Sequence, residues 1–87
     1  MGIKYVMKVK LGKQIVADSD ICHGKPTFAG TRILVSDIIE LVAEGYSSKE
    51  IISQFPSLKK EMIQEALWYS ARVISGERYA GFAKIPA

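Results

Sequence analysis

Cys22 and His23 stand side by side and are the only cysteine and the only histidine of the chain. A thiol beside an imidazole suggests a nucleophile and its base, but neighbours on a strand point to opposite faces of a sheet. No third residue is placed to orient the histidine, and the pair cannot supply the four ligands of a zinc site. We therefore expect no catalytic residue, no metal and no cofactor.

The stretch from His23 to Arg32 is rich in glycine and contains residues that suit phosphate. A phosphate loop needs a lysine directly after its second glycine, whereas Thr31 follows Gly30 here. The stretch is therefore interpreted as a ribbon shaped by its glycines, with Thr31 and Arg32 bonding locally. A weaker alternative is an enzyme that uses His23, Lys25 and Arg32 on a phosphorylated small molecule.

The composition is that of one small globular domain. The 87 residues carry a formal net charge of +3, a mild bias towards acidic partners such as nucleic acid. No apolar run approaches the roughly 18–20 residues that cross a bilayer, and the first residues do not resemble a signal peptide. We expect a cytoplasmic protein that makes no membrane contact. A chain of this length buries only roughly 60–65% of its unfolded surface, so we also expect a homodimer.

The N-terminal part predicts strands. Residues 3–11 alternate imperfectly between apolar and basic side chains, which is typical of a strand with one apolar face. A turn at residues 12–13 would lead into a second strand over residues 14–17. A short extended segment follows at residues 25–28, because a residue that precedes proline avoids helical geometry. The predicted apolar face of the first strand consists of Tyr5, Met7, Val9 and Leu11.

Three helices joined by short turns are predicted in the second half. The first covers residues 37–44 and is capped by Ser36. The second covers residues 48–54, and its start is the clearest in the chain because Ser47 and Glu50 form a capping box.

The third helix is predicted over residues 59–75, between the break at Pro56 and a terminating Gly76. Apolar residues recur along it at helical spacing, so one face should pack on the core. The stripe predicted to face the core consists of Ile63, Ala66, Leu67, Ser70, Ala71 and Ile74, and it is widened by Met62 and Val73.

The turn between the first two helices resembles that of the DNA-binding domain in LuxR-type response regulators. In that group the next helix enters the major groove, so the third helix would be the reader here. Its first turns would present Lys59, Lys60 and Gln64 to DNA, and Arg32 would support them at the backbone. The alternative is a trihelical scaffold used only for packing. The nearby carboxylates that would repel phosphate are those of Glu61 and Glu65.

Two segments carry aromatic residues that suit a protein partner. Trp68 and Tyr69 lie on the third helix, where a second apolar face would contact another subunit or cover the protein's own core. The segment after Gly76 has no helical period and is predicted to be a partner-binding arm, with folding back onto the core as the alternative. The residues assigned to this arm are Arg78, Tyr79, Phe82 and Lys84.

The segment from Asp18 to Ile74 resembles the bacterial and archaeal family catalogued as domain of unknown function number 433. Members look like VapB-type antitoxins, often paired with PIN-like ribonuclease toxins. The resemblance implies a helix-turn-helix fold, binding to the operon's own promoter, neutralisation of a toxin and no catalytic residues. The sequence departs from the family at Lys59, where members more usually have a small capping residue. The matching residues are Gly24-Lys25-Pro26, Gly30-Thr31-Arg32-Ile33, Val35, Gly45-Tyr46-Ser47, Glu50-Ile51, Phe55-Pro56-Ser57-Leu58 and Ala66-Leu67-Trp68-Tyr69.

The sequence therefore predicts an α+β domain that is mostly α. A short N-terminal hairpin or ribbon (1–35) is followed by a trihelical, winged-type helix-turn-helix region (36–75) and a tail (76–87). We expect a non-enzymatic, antitoxin-like DNA-binding protein. The alternative is a protein-interaction module that does not touch DNA.

Overall fold

In a computed structural model of the chain, which describes residues 7–76, a three-stranded sheet precedes three helices. This is the predicted α+β arrangement. No helix within the described residues is long and apolar enough to span a bilayer. The strands are β1 (Lys8–Lys10), β2 (Ile15–Asp18) and β3 (Pro26–Phe28), and the helices are α1 (Val35–Ala43), α2 (Ser48–Gln54) and α3 (Lys60–Ser75).

The sheet is antiparallel with the order β1-β2-β3. The central strand β2 buries Ile15 and Val16, whereas β1 is an edge strand with every residue exposed. The predicted apolar face of the first strand is therefore wrong in its described part, since Met7 is 65% and Val9 is 48% exposed. Helix α1 packs next to β3, at the edge of the sheet opposite β1, and no residue of β1 belongs to the core cluster. Of the described members of that face, only Leu11, just beyond β1, packs against the core, and Tyr5 lies outside the described residues.

Helix α1 begins at Val35, earlier than predicted, and Ser36 is not its cap. Leu34 occupies the capping position with extended backbone and provides no side-chain hydrogen bond. It also forms an isolated antiparallel bridge with Thr27. The bridge fixes the last extended residue beside the sheet, and the helix starts directly after it.

Helix α2 has the predicted bounds and the predicted capping box. The Ser47 hydroxyl accepts the Glu50 N–H at 3.1 Å, and the Glu50 carboxylate accepts the Ser47 N–H at 2.8 Å. These bonds lower the pKa of the Glu50 carboxyl from its ordinary value of 4.5, the backbone N–H of Ser47 being the main cause. The helix ends at Gln54, before the proline, as predicted.

Helix α3 ends at Gly76, as predicted, with a left-handed backbone (φ of 75°) that glycine adopts without strain. At its start, Lys59 has no acceptor atom to offer as a cap, and its own N–H donates to the Met62 sulfur at 3.3 Å. The predicted core stripe is only partly correct. Ile63 and Ala66 are buried, but Leu67 and Ile74 are exposed, Ile74 by 84%.

Met62, predicted at the margin of the stripe, is buried, but the core-facing side of α3 is turned from the prediction towards Tyr69. This orientation lets α3 pack on both α1 and α2. The buried core lies between the sheet and the helices. It consists of Ile15, Phe28, Val35, Ile38, Ile51, Leu58, Met62, Ile63 and Ala66.

Candidate nucleic-acid interface

Cys22 and His23 lie in a single turn of 3₁₀ helix and not on a strand. Both have positive φ, 49° and 58°, so the expectation that they point to opposite faces of a strand is wrong. The Cys22 thiol donates to the carbonyl oxygen of Arg32 at 3.5 Å, which ties this turn to the loop before α1. Within residues 7–76 there is no group of three or more His, Cys, Asp or Glu residues that could hold a metal ion.

Thr31 closes the loop between β3 and α1, as the prediction of local bonding requires. Its hydroxyl donates to the carbonyl oxygen of Phe28 at 2.8 Å and accepts the N–H of Ile33 at 3.0 Å. The Arg32 side chain is exposed in the same loop. The glycine-rich ribbon is therefore built by backbone and hydroxyl contacts.

Lys59, Lys60 and Gln64 are exposed at the start of α3. Lys60 and Gln64 are four residues apart and so lie on one face of the helix. The structure thus gathers three of the four residues assigned to DNA at one end of one helix. Arg32 comes from a different loop and does not line the groove that Lys59 lines.

Trp68 and Tyr69 do not form one shared face. Tyr69 is half-buried and packs against the core, whereas Trp68 is 64% exposed. For Tyr69 the alternative of an aromatic residue that covers the protein's own core therefore holds, because the helix orientation that exposes Leu67 brings Tyr69 against the core. The residues assigned to the partner-binding arm lie outside the described residues. They are Arg78, Tyr79, Phe82 and Lys84.

An open groove of about 640 Å³ runs beside α3, and sequence analysis did not predict it. Its walls come from the β1–β2 turn, the β3–α1 loop, the residues before α3 and α3 itself. Three cationic residues line it together with two carboxylates, while Trp68 stands along the same wall. No local pattern marks the groove, because its walls are distant in sequence. The charged residues that line it are Lys13, Lys59, Glu61, Glu65 and Arg72.

Glu65 connects the two walls of this groove. Its carboxylate accepts the backbone N–H of Gln14 at 2.9 Å and also accepts the backbone N–H of Lys13. A β-carbon at Gly12 would lie 2.5 Å from the Glu65 Oε2 atom, so a larger residue there would require this carboxylate to shift. The turn is thereby fixed against α3, with the Lys13 side chain exposed.

This is a small α+β protein whose three-helix unit carries an exposed, partly basic groove along its last helix. Residues 15–70, more than half of the chain, match the family described as "Protein of unknown function (DUF433)", and the chain belongs to that family. It is also 38% identical over 68 residues to the uncharacterised protein y4eO of Sinorhizobium fredii (strain NBRC 101917 / NGR234). That match covers 76% of this chain but 31% of y4eO, so the chain spans about a third of that relative's length. No solved structure matches the chain significantly.

Proposed function

We propose that the protein is an antitoxin-like DNA-binding protein that binds its own promoter through α3. The observation that carries this proposal is the joint exposure of Lys59, Lys60 and Gln64 at the start of α3. The opposite side of that helix packs on α1 and α2, so these side chains can approach a base edge or phosphate without disturbing the core. The protein then acts by binding and not by catalysis, in the cytoplasm.

The distribution of charge supports an approach of DNA from the side of the sheet and α3. Residues 8–34 contain five basic and two acidic residues, whereas residues 35–54 contain one basic and four acidic residues. A phosphate backbone is attracted by the first region and repelled by α1 and the α1–α2 turn. Arg32 belongs to the attractive side and would support the duplex at its backbone.

Promoter binding at several salt concentrations tests this proposal. The double variant Lys59→Ala/Lys60→Ala should bind more weakly, and its salt slope should be flatter by about one unit for each phosphate that it no longer neutralises. Lys49→Ala is the matched control, because Lys49 is equally exposed but lies on α2 in the acidic region. Equal affinities for the double variant and the wild type would show that α3 does not contact DNA.

The antitoxin half of the proposal is the capture of a PIN-like ribonuclease toxin. Its support is the sequence resemblance to the antitoxin family. Co-purification with a PIN-like protein encoded beside this chain, and loss of that protein's ribonuclease activity in the complex, would be the expected result. Full ribonuclease activity in the presence of excess antitoxin would contradict it.

A protein-interaction module that does not bind DNA is the second candidate. Leu67 and Ile74 leave apolar side chains in solvent on the exposed side of α3, and Glu61 is exposed beside the proposed phosphate contacts. This candidate predicts toxin capture with no salt-dependent promoter binding. The two measurements above therefore separate the candidates.

We also propose that the protein is a homodimer, with the exposed Ile74, near the C-terminal end of α3, as the apolar contact. A two-fold contact would place the same patch of both copies together. Sedimentation equilibrium at micromolar concentration should give twice the monomer mass of 9.6 kDa. Ile74→Asp should return the mass to that of the monomer, whereas Lys60→Asp, at the other end of α3, should not.

A further inference from the structure

We infer that the groove between the β1–β2 turn and α3 seats a sugar-phosphate strand of DNA. In this arrangement Lys13 on the β1–β2 turn and Lys59 at the start of α3 contact phosphates. Trp68, farther along α3, packs on a sugar or a base. The inference rests on the proposed DNA binding and extends it from one helix to a second element. Lys13, which sequence analysis treated only as a turn residue, becomes a DNA contact.

The backbone at Lys13 is held in place. Its backbone N–H and that of Gln14 both donate to Glu65, so the turn is fixed to the proposed reading helix. The backbone that carries the Lys13 side chain is therefore held at the groove that Lys59 also lines, and binding costs less ordering entropy than it would for a lysine on a free loop. Glu65 is a positioning residue in this scheme and does not contact DNA.

The side chains of the groove wall suit phosphate better than their formal charges indicate. The Glu65 carboxylate is already engaged by two amide N–H groups, which offset its repulsion of phosphate. Glu61 is exposed and remains repulsive. Polar side chains from Gln14 and Ser57 can donate to phosphate oxygens, and such contacts make up much of protein–DNA hydrogen bonding.

Trp68 presents an exposed indole ring in the lining of the groove. An exposed indole beside lysines is the combination that nucleic-acid grooves use, with the cations on the backbone and the ring against a base or sugar. A peptide groove would need a longer apolar floor, and the apolar residues of this lining besides Trp68 are Ala29 and Met62. The lining therefore favours a nucleic-acid strand over an apolar peptide.

Trp68 is the only tryptophan of the chain, so its fluorescence reports on the groove directly. Titration with promoter duplex, and with a random-sequence duplex at low salt, should quench this fluorescence. Poly-glutamate is the control for an acidic protein partner. If poly-glutamate quenches Trp68 and neither duplex does, the groove binds an acidic protein segment and the inference is overturned.

Variants then test the individual contacts. Lys13→Ala should weaken binding of both duplexes by roughly three-fold at about 0.1 M salt and flatten the salt slope by about one unit. Glu61→Gln should tighten binding, because it removes the exposed carboxylate. Lys8→Ala is the control, because Lys8 is exposed on β1 but does not line the groove. Far-UV circular dichroism of each variant checks that the fold is retained.

The results of these experiments separate DNA binding in the groove from the proposed promoter binding through α3. If Lys59→Ala weakens promoter binding while Lys13→Ala matches the wild type in affinity and slope, the groove inference fails and the proposed function stands. If the promoter is bound no better than random duplex, but both quench Trp68 and both depend on Lys13, promoter recognition fails and the groove inference stands.

Discussion

The Glu65 carboxylate accepts the backbone N–H of Gln14 at 2.9 Å, although the two residues are 51 positions apart in the chain. Gln14 belongs to the turn of the edge hairpin, and Glu65 belongs to α3. A charged side chain of α3 therefore accepts hydrogen bonds from backbone N–H groups of the β1–β2 turn. This contact couples the sheet to the helical unit outside the apolar core.

Removal of the Glu65 carboxylate should destabilise the protein more than removal of the Glu61 carboxylate. Glu65→Ala leaves two backbone N–H groups without their acceptor, one of them in a half-buried position, at a cost of about 1–2 kcal/mol. Glu61→Ala, one helical turn earlier and exposed, should change the free energy of unfolding by less than about 0.5 kcal/mol. Urea unfolding of both variants measures the difference. Equal free energies would mean that the turn is not held by Glu65.

Gly12 should be coupled to Glu65 in the same way. Gly12→Ala would place a methyl group 2.5 Å from the Glu65 Oε2 atom and displace the carboxylate from its donors. The substitution should therefore cost stability in the wild type but little in the Glu65→Ala background. A double-mutant cycle by urea unfolding should show an interaction free energy of at least about 0.5 kcal/mol. Strict additivity would argue against the close approach.

The sequence predicted those features that depend on residues close together in the chain. The α2 cap needs only Ser47 and Glu50, and the end of α3 needs only Gly76, so the local pattern was sufficient. The start of α1 depends on the bridge between Leu34 and Thr27, which no capping pattern reveals. Ser36 was therefore assigned a role it does not have.

The orientation of α3 and the groove beside it could not be predicted for a related reason. Leu67 and Tyr69 are both compatible with an apolar helical face, and the packing of α3 on two other helices decides between them. The groove depends on Glu65 reaching the β1–β2 turn, a contact between distant segments. The candidate site was therefore predicted only in its part on α3, at Lys59, Lys60 and Gln64.

Two serines that look alike in sequence should behave differently. Ser47→Ala removes the hydroxyl that accepts the Glu50 N–H and should cost about 1 kcal/mol. Ser36 lies in the first turn of α1 and does not cap the helix. Ser36→Ala should therefore leave the free energy of unfolding nearly unchanged. Thermal and urea unfolding of the two variants give the comparison. A larger loss of stability for Ser36→Ala would restore Ser36 as the cap of α1.

The same capping box should make stability depend on pH. The folded-state pKa of Glu50 lies below its ordinary value of 4.5, so the ionised carboxylate contributes stability above that value. The contribution disappears as the pH falls below 4.5 and through the folded-state pKa. Unfolding of the wild type and Glu50→Gln between about pH 6 and pH 3 should show a stability difference that shrinks on acidification. A difference independent of pH would mean that the charge of Glu50 has no part in the cap.

Thr27 and Thr31 provide a last matched pair, four residues apart. Thr27 is fully buried and its hydroxyl has no hydrogen-bond partner, whereas the Thr31 hydroxyl both donates and accepts. Thr27→Val keeps the shape of the side chain and removes an unsatisfied polar group, so it should be neutral or stabilising by up to about 1 kcal/mol. Thr31→Val breaks two hydrogen bonds of the β3–α1 loop and should cost about 1–2 kcal/mol. Urea unfolding at neutral pH measures both changes. A clear loss of stability in Thr27→Val would show that its hydroxyl is hydrogen-bonded in solution, and the nearest backbone of β2 and Leu34 would then be the place to find the partner.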